Sequence, residues 1–344
     1  MDSEKALKTL NVRSVWIPVL IGLGVVVTLI LTDDRINAES FGLIKQIAPL
    51  SLFAALLVLL FKDVANVIRL RVISKSTLDW GSALRVIFLW EFAIAVTPPI
   101  VGATGVLVFI MYKEGLSFGK ALAFTLLLAT FDNLFFLTAS PLALWLSGGE
   151  VLPESQAAAE TLGDGLKPLF WLSYSLILWY TAFMLSAVLL FPVTIRRFTG
   201  YLMNLKWLKK WEEPVLKQAD DLVMVSGFLR GRPWHFWLSL LGISYVVWIL
   251  KFSMLNMVMA GFVDLSLADH GVVLGKHLIM WIVMLVSPSP GNAGTAEFIF
   301  PVFFESDMQR FTFITALIWR LMSYYPYLII GALLIPKWLS RKKV

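Results

Sequence analysis

The chain has 344 residues, of which 58% are hydrophobic and only 15% are charged, and its mean hydropathy is +0.79. This apolar share exceeds the half or less that is typical of soluble globular domains, so the composition indicates a polytopic helical membrane protein. The absence of cysteine excludes disulfide bonds and thiolate chemistry. The net charge of +6 does not indicate a nucleic-acid partner, because the basic residues alternate with long apolar segments as membrane topology requires.

Long apolar runs alternate with polar connections along the chain. The first run follows Lys5, Lys8 and Arg13, as in a secretory signal, but no small-residue cleavage site comes after it. We therefore predict that it is retained as a span. The predicted full spans, in chain order, are Val15–Leu31, Ile44–Phe61, Ala121–Leu146, Pro168–Phe191, His235–Gly261 and Phe311–Ile335.

A first re-entrant hairpin is predicted between spans two and three, where Val86–Val96 and Ile100–Tyr112 flank a proline-rich turn. The first arm reaches only about 16 Å as a helix, against roughly 30 Å of hydrocarbon, so it is too short to cross the bilayer. The alternative to the hairpin architecture is a chain of eight ordinary kinked helices. The turn residues are Thr97, Pro98, Pro99 and Gly102.

A second hairpin is predicted over Val272–Phe304, between spans five and six. Pro288 and Pro290 lack the amide donor that a continuing helix needs, and Gly291 and Gly294 let the backbone turn sharply. Broken backbone at membrane depth persists only where it is buried in protein or lines a wet cavity. The second turn is therefore a candidate functional site.

Most of the 29 lysines and arginines fall in the termini and in two basic segments, 62–85 and Arg196–Arg232. Placing all of these in the cytoplasm satisfies the positive-inside rule, so we predict that both termini are cytoplasmic. The second segment contains Trp207 and Trp211 among its lysines, and we predict that 192–234 is a cytoplasmic amphipathic linker. The basic residues of the first segment are Lys62, Arg69, Arg71, Lys75 and Arg85.

The order of these elements recurs. Residues 15–146 run as span, span, hairpin and span from the cytoplasmic side, and residues 168–335 repeat that order from the other side. An inverted repeat of this kind places a substrate site near the bilayer midplane, where the broken helices of the two halves meet. We therefore predict one all-α polytopic membrane domain over residues 1–344, with six full spans and two re-entrant hairpins.

Ionisable side chains inside the bilayer are costly and mark candidate functional sites. The candidates are Glu91, Asp132, Lys251, Glu297 and Arg320, of which Arg320 lies close to mid-depth. Its planar guanidinium suits a carboxylate or a phosphate. One interpretation is that Arg320 pairs with Glu297 and fastens the hairpin to span six. The other is that the pair faces a cavity and exchanges partners with a substrate headgroup.

The remaining candidates also have two interpretations each. The backbone amides around Gly291, Asn292 and Gly294 could hold an anion where the second half-helix begins, or form a tight turn with buried caps. Asp132 could bind substrate or cap the neighbouring hairpin turn. Lys251 could bind substrate, or it could snorkel, because it lies near enough to the outer end of span five. Glu91 could serve the Thr97 turn.

The sequence offers no sign of an enzyme. The three histidines, His235, His270 and His277, lack metal-ligand spacing, so no metal site is predicted. There is no phosphate-binding P-loop and no nucleophile–base pair, and no cofactor is expected.

The second turn and the sixth span resemble a known family. Pro288-Ser-Pro-Gly-Asn-Ala-Gly-Thr-Ala-Glu297 and Ile318-Trp-Arg-Leu-Met-Ser-Tyr-Tyr325 are similar to the Pro-Thr-Pro-Gly-Gly-x-Gly-x-x-Glu and Arg-Leu-x-x-Tyr signatures of that family. It is the flippase-like transmembrane domain of bacterial lysylphosphatidylglycerol synthases. In the first half, Thr97-Pro-x-x-x-Gly102, Gly115–Leu122 and Asp132 resemble the family's cytoplasmic hairpin and following helix.

The resemblance implies a lipid translocase of a bacterial inner membrane, with membrane lipids as partners and no nucleic acid. A homo-oligomer is compatible with it. The chain departs from the family at Leu128 and Ala129, which replace a Glu-Arg pair, and at Ala103 and Thr104, where a charge is usual. We expect no synthase domain after span six, and therefore no aminoacyl transfer. The alternatives are a membrane scaffold or accessory subunit, and a membrane-embedded transferase acting on polyprenyl-linked substrates.

Overall fold

A computed structural model of the chain describes residues 41–98, 104–153, 165–186, 191–205, 212–229 and 231–340, together with Leu20, Gly24, Val27, Thr28, Leu31 and Lys209. Within these residues the chain is all-helical and contains no strand. The helices are α1 Pro49–Ile73, α2 Trp80–Val96, α3 Thr104–Lys113, α4 Phe118–Leu146, α5 Leu166–Leu185, α6 Pro192–Met203, α7 Glu212–Leu229, α8 Trp234–Met259, α9 Leu267–Met284, α10 Thr295–Met308, α11 Thr312–Ser323 and α12 Tyr325–Ser340.

Six helical stretches of the described residues are long and apolar enough to cross a membrane, which confirms a multi-pass membrane protein. Span one lies almost entirely outside the described residues. Spans three, four and five correspond to α4, α5 and α8. The six stretches are Pro49–Ile73, Phe118–Leu146, Leu166–Leu185, Trp234–Met259, Leu267–Met284 and Thr295–Ser340.

The predicted bounds of span two were wrong. The prediction ended the span at Phe61 because Lys62 follows, but α1 continues for three more turns to Ile73. Lys62 and Arg69 are almost fully buried within the protein, at 1% and 2% exposure. They therefore do not belong to a solvated basic segment. The helix continues because buried carboxylates partner both cations.

The first hairpin arm is longer than predicted. Helix α2 begins at Trp80, where the Asp79 carboxylate caps it by accepting hydrogen bonds from the amides of Gly81 and Ser82. Its 17 residues span about 26 Å, so the length argument for a re-entrant arm is weaker than the sequence suggested. Helix α9 likewise begins five residues earlier than predicted, at a capping box formed by Ser266 and Asp269.

Span six is broken rather than continuous. Helix α11 ends at Ser323, and Tyr324 has non-helical backbone angles (φ −122°, ψ −58°) before α12 begins. Pro326 explains the break, because its ring crowds the preceding turn and it has no amide to donate. The break places the Tyr324 ring beside the second proline-rich turn.

Helices α1 and α8 pack against each other along their length in opposite directions. The Ala48 amide, at the start of α1, donates a 2.8 Å hydrogen bond to the Gly261 carbonyl, just after α8. One apolar core joins α2, α3 and α4 to α12, and a second joins α8 to α9, α10 and α11. Helix α12 therefore packs on α2, where Gly331 lies against Phe92.

The segment predicted as a linker contains two helices among its described residues. Helices α6 and α7 pack together, and an exposed 2.7 Å ion pair joins Arg196 to Asp220. Helix α7 also packs on α4. Trp207 and Trp211, the predicted interface anchors, lie outside the described residues.

Candidate functional site

The two proline-rich turns meet. Helix α2 ends at Val96, and the carbonyl of the next residue, Thr97, accepts a 3.1 Å hydrogen bond from the Gly291 amide. The Tyr324 hydroxyl donates to the Ala95 carbonyl at 3.2 Å and ties the break in span six to the same place. Pro98 is half-buried there. Pro99 and Gly102, also predicted as turn residues, lie outside the described residues.

Arg320 and Glu297 form a buried ion pair beside this contact. Arg320 Nε donates to Glu297 Oε1 at 2.8 Å, and Nη2 donates to the Gly291 carbonyl at 3.3 Å. The other carboxylate oxygen, Oε2, accepts from the Gly294 amide at 2.7 Å. The guanidinium also lies 4.1 Å from the centre of the Tyr324 ring. In this arrangement the pair fastens α11 to the turn and to the start of α10.

The second turn is tightly folded. Pro290–Asn292 forms one 3-10 turn, and Gly291 and Gly294 have positive φ angles of 56° and 83°. The amides of both glycines already donate, to Thr97 and to Glu297, so neither is free to hold an anion as the structure stands. Pro288 is exposed.

A second group of charges lies at the middle of α1. Lys62 Nζ donates to Glu91 Oε1 at 2.7 Å and to the Tyr327 hydroxyl at 2.8 Å, and it lies 2.8 Å from Asp63 Oδ1. The Tyr327 hydroxyl in turn donates to the Asp63 carboxylate at about 3 Å. Glu91 therefore forms an ion pair with Lys62, rather than supporting the Thr97 turn.

Two turns further along α1, Arg69 pairs with Asp132 of α4. The same carboxylate oxygen, Oδ1, accepts a 2.8 Å hydrogen bond from the Trp248 indole. The guanidinium also donates to Asn66 at 2.9 Å and to Ser244 at 3.2 Å. Asp132 thus fastens α4 to α1 and α8, and does not cap the neighbouring hairpin turn.

The Lys251 side chain does not extend toward the end of α8 at Met259, as snorkelling would require. Its ammonium lies 4.6 Å from the centre of the Trp248 ring and 4.1 Å from that of Trp281, in α9. Trp248 lies one turn closer to the start of α8, so the side chain points away from the outer end. In the described part of the chain, no carboxylate lies within ion-pairing distance of this ammonium. We call Lys62, Asp63, Arg69, Glu91, Asp132 and Lys251 the central charge cluster.

Three of the six residues of this cluster were not predicted from the sequence, since Lys62 and Arg69 were expected in a cytoplasmic segment and Asp63 was not a candidate. The spacing of the polar residues in the sequence does indicate that this face of the helix could be buried. Lys62, Asn66 and Arg69 are spaced four and three residues apart, so they share one face of a helix. Polar residues at that spacing, directly after an apolar run, indicate a buried polar face as well as a solvated one.

The comparisons with known families agree with the motifs. A family model described as "Lysylphosphatidylglycerol synthase TM region" matches residues 15–331. The chain belongs to this family. The resemblance seen in the proline-rich turn and the Arg320 segment is thereby confirmed. No curated protein and no solved structure gives a significant match.

Membership of the lysylphosphatidylglycerol synthase TM region family relates the chain to lipid handling. Two other features bear on where a polar headgroup could bind. A cavity of about 170 Å³ between α4, α5, α7 and α8 is lined almost entirely by apolar side chains, so it offers no charge to a headgroup. Among the described residues, no three histidine or carboxylate side chains are grouped as metal ligands.

Proposed function

We propose that the protein is a lipid translocase that moves a phospholipid, or another polar-headed lipid, between the leaflets of a bacterial inner membrane. The observation that carries the proposal is the buried Arg320–Glu297 pair at the contact of the two turns. Buried ion pairs are weak contributors to stability compared with apolar packing, so their presence at a broken-backbone site favours a role in substrate handling. Family membership supports the same class of function.

The proposal includes an inverted repeat. Helices α1 to α4 run as long helix, two-armed turn and long helix, and α8 to α12 follow the same order. Helix α1 corresponds to α8 in this scheme, and these two helices pack in opposite directions. The meeting of Thr97 with Gly291 is what two re-entrant hairpins entering from opposite faces would produce. Both termini are then cytoplasmic.

In the proposed mechanism, the headgroup enters between the two repeats while the acyl chains stay in the bilayer. Arg320 exchanges Glu297 for the headgroup as the repeats rock. Because the Gly291 amide donates to Thr97, it becomes available to the headgroup only when the two turns separate. The protein carries out transport in this scheme, not a covalent reaction.

A scaffold or accessory subunit is the second candidate. It is favoured by the completeness of the Arg320–Glu297 contacts, since both carboxylate oxygens and two guanidinium nitrogens already have partners. A scaffold needs these charges only to hold helices together.

Reconstitution separates the two functions. The protein is placed in liposomes with fluorescent lipids, and a quencher added outside reports how much of each lipid has changed leaflet. We expect wild type to move lipid, Arg320→Ala and Glu297→Gln to move it at least tenfold more slowly, and the control Arg196→Ala to equal wild type. Equal rates in folded site variants would remove the site, and no movement of any lipid class by wild type would favour the scaffold.

A further inference from the structure

We propose that Lys251 binds the phosphate of an anionic lipid, and that the Asp63 and Glu91 carboxylates take up a proton as it binds. This inference concerns the energy source for transport and goes beyond the proposed translocation. It rests on that function only in naming a lipid as the natural source of the phosphate.

Two carboxylates, Asp63 and Glu91, share the ammonium of Lys62. The three donors of Lys62 are all used, by Glu91, Tyr327 and Asp63. The Tyr327 hydroxyl is neutral and can donate only one hydrogen bond to the Asp63 carboxylate. This part of the cluster therefore has two negative charges and one positive charge in a nearly inaccessible place. Such an excess is costly inside a membrane unless another cation or a proton balances it.

Lys251 provides the balancing charge. The central charge cluster contains three cations (Lys62, Arg69 and Lys251) and three carboxylates (Asp63, Glu91 and Asp132), and its formal charge is zero only when Lys251 is included. Glu91 and Asp132 lie near enough for their charges to act on the Lys251 ammonium. Arg69 cannot take over this function, because it is already paired with Asp132.

Lys251 is also the cation that can accept a new anion. It is half-buried, and the contacts to its ammonium are the faces of Trp248 and Trp281 rather than a carboxylate. Within the described residues, its three donors therefore remain available to phosphate oxygens. By contrast, Lys62 is enclosed and its donors are occupied.

An anion bound at Lys251 neutralises its positive charge. That charge then no longer offsets the negative charges of Glu91 and Asp63. A proton from water on one of these two carboxylates restores neutrality, so binding and protonation favour each other. The other groups nearby are less suitable acceptors. The Asp132 carboxylate is already paired with Arg69 and accepts a hydrogen bond from Trp248, and the Tyr327 hydroxyl donates its hydrogen bond to Asp63. His277 of α9, packed on Phe252, also lies near Lys251, and its protonation would place a second positive charge there.

Calorimetry on the purified full chain in detergent tests the linkage. The probe is dihexanoyl phosphatidylglycerol, titrated in two buffers of different ionisation enthalpy. We expect uptake of about one proton per lipid bound, and affinity that rises by up to about tenfold per unit fall in pH. Binding without proton uptake would overturn the coupling, and no binding would overturn the site. A parallel titration with inorganic phosphate shows whether the anion alone binds. Proton uptake is counted with the lipid only, because inorganic phosphate itself titrates near neutral pH and the lipid phosphodiester does not.

Variants test which residues bind the anion and which take up the proton. Lys251→Gln should weaken binding at least tenfold, whereas Lys167→Gln, an exposed cation at the start of α5, should not change it. Asp63→Asn or Glu91→Gln should bind lipid with reduced proton uptake. Normal uptake in both carboxylate variants would overturn the assignment, and if they do not fold, the proton count of wild type decides. Because no bilayer is needed, failure of the proposed translocase in liposomes is distinguishable from failure here.

Discussion

The Gly291 amide donates a 3.1 Å hydrogen bond to the Thr97 carbonyl, and this bond joins the turn after α2 to the turn between α9 and α10. The same glycine accepts a hydrogen bond from Arg320 through its carbonyl. One residue thus links both proline-rich turns to the buried ion pair. The two turns are distant in sequence, and only their packing brings them together.

Replacing Gly291 by alanine should destabilise the protein by about 2 kcal/mol or more, because the residue has a positive φ of 56°. A Cβ atom there would also overlap the Ala95 carbonyl and the Tyr324 ring. Thermal unfolding in detergent measures the loss. Gly242→Ala is the matched control, since a Cβ at that helical position meets nothing within 4 Å. Equal melting temperatures for the two variants would contradict the turn contact.

Tyr327→Phe should reduce stability by about 2 kcal/mol, because it removes one hydrogen-bond donor from the buried Asp63 carboxylate and leaves one Lys62 donor without a partner. The packing of the ring itself is kept. Denaturation midpoints of wild type and variant give the difference. Tyr201→Phe, at a position that is 74% exposed, should change nothing. A Tyr327 variant as stable as wild type would mean that the hydroxyl does not hold the cluster together.

The packing of α12 on α2 can be tested at Gly331, where an added Cβ would overlap the Phe92 ring. Gly331→Ala should cost about 1–3 kcal/mol through overpacking. Phe92→Leu alone should also destabilise, since the ring is fully buried. The double variant should lose less than the sum of the single losses, because the smaller side chain makes room for the methyl group. Simple additivity in a double-mutant cycle would argue against this contact.

Glu114, between α3 and α4, should make stability depend on pH. Burial alone would raise the pKa of its carboxyl, but hydrogen bonds from Arg85, Ser82 and Trp338 outweigh this and lower the pKa below its usual 4.5. A lowered folded-state pKa contributes stability that is present above about pH 4.5 and is lost as the pH falls through the folded value. Glu114→Gln should therefore cost about 2 kcal/mol at neutral pH and progressively less in acid.

Unfolding measured from pH 7 downward checks this prediction. The gap between wild type and Glu114→Gln should narrow in acid, since both then have a neutral side chain at that position. A gap that stays constant with pH would show that the carboxylate charge contributes nothing to its contacts with Arg85 and Trp338.

The membrane class, the family and the positions of three long spans could be predicted from the sequence, because long apolar runs and short motifs are local features. The proline-rich turns were also recognisable locally, since proline and glycine act on their own backbone. Arg320 and Glu297 were correctly singled out as a candidate pair. Errors arose where a charge was taken as the end of a helix, as at Lys62, or where a break had no run of prolines, as at Tyr324.

Only the tertiary structure decided which charges meet. Lys62 is buried because Glu91 and Tyr327, from two other helices, pack beside it. Without these partners it would have to remain solvated. This burial depends on helix packing over long sequence separations, which periodicity does not encode. The sequence by itself determined that this chain resides in a bilayer, because its apolar surface would otherwise be exposed to water. The fold determined which charged side chains can be buried within it, by bringing opposite charges together, as in the Lys62–Glu91, Arg69–Asp132 and Arg320–Glu297 pairs.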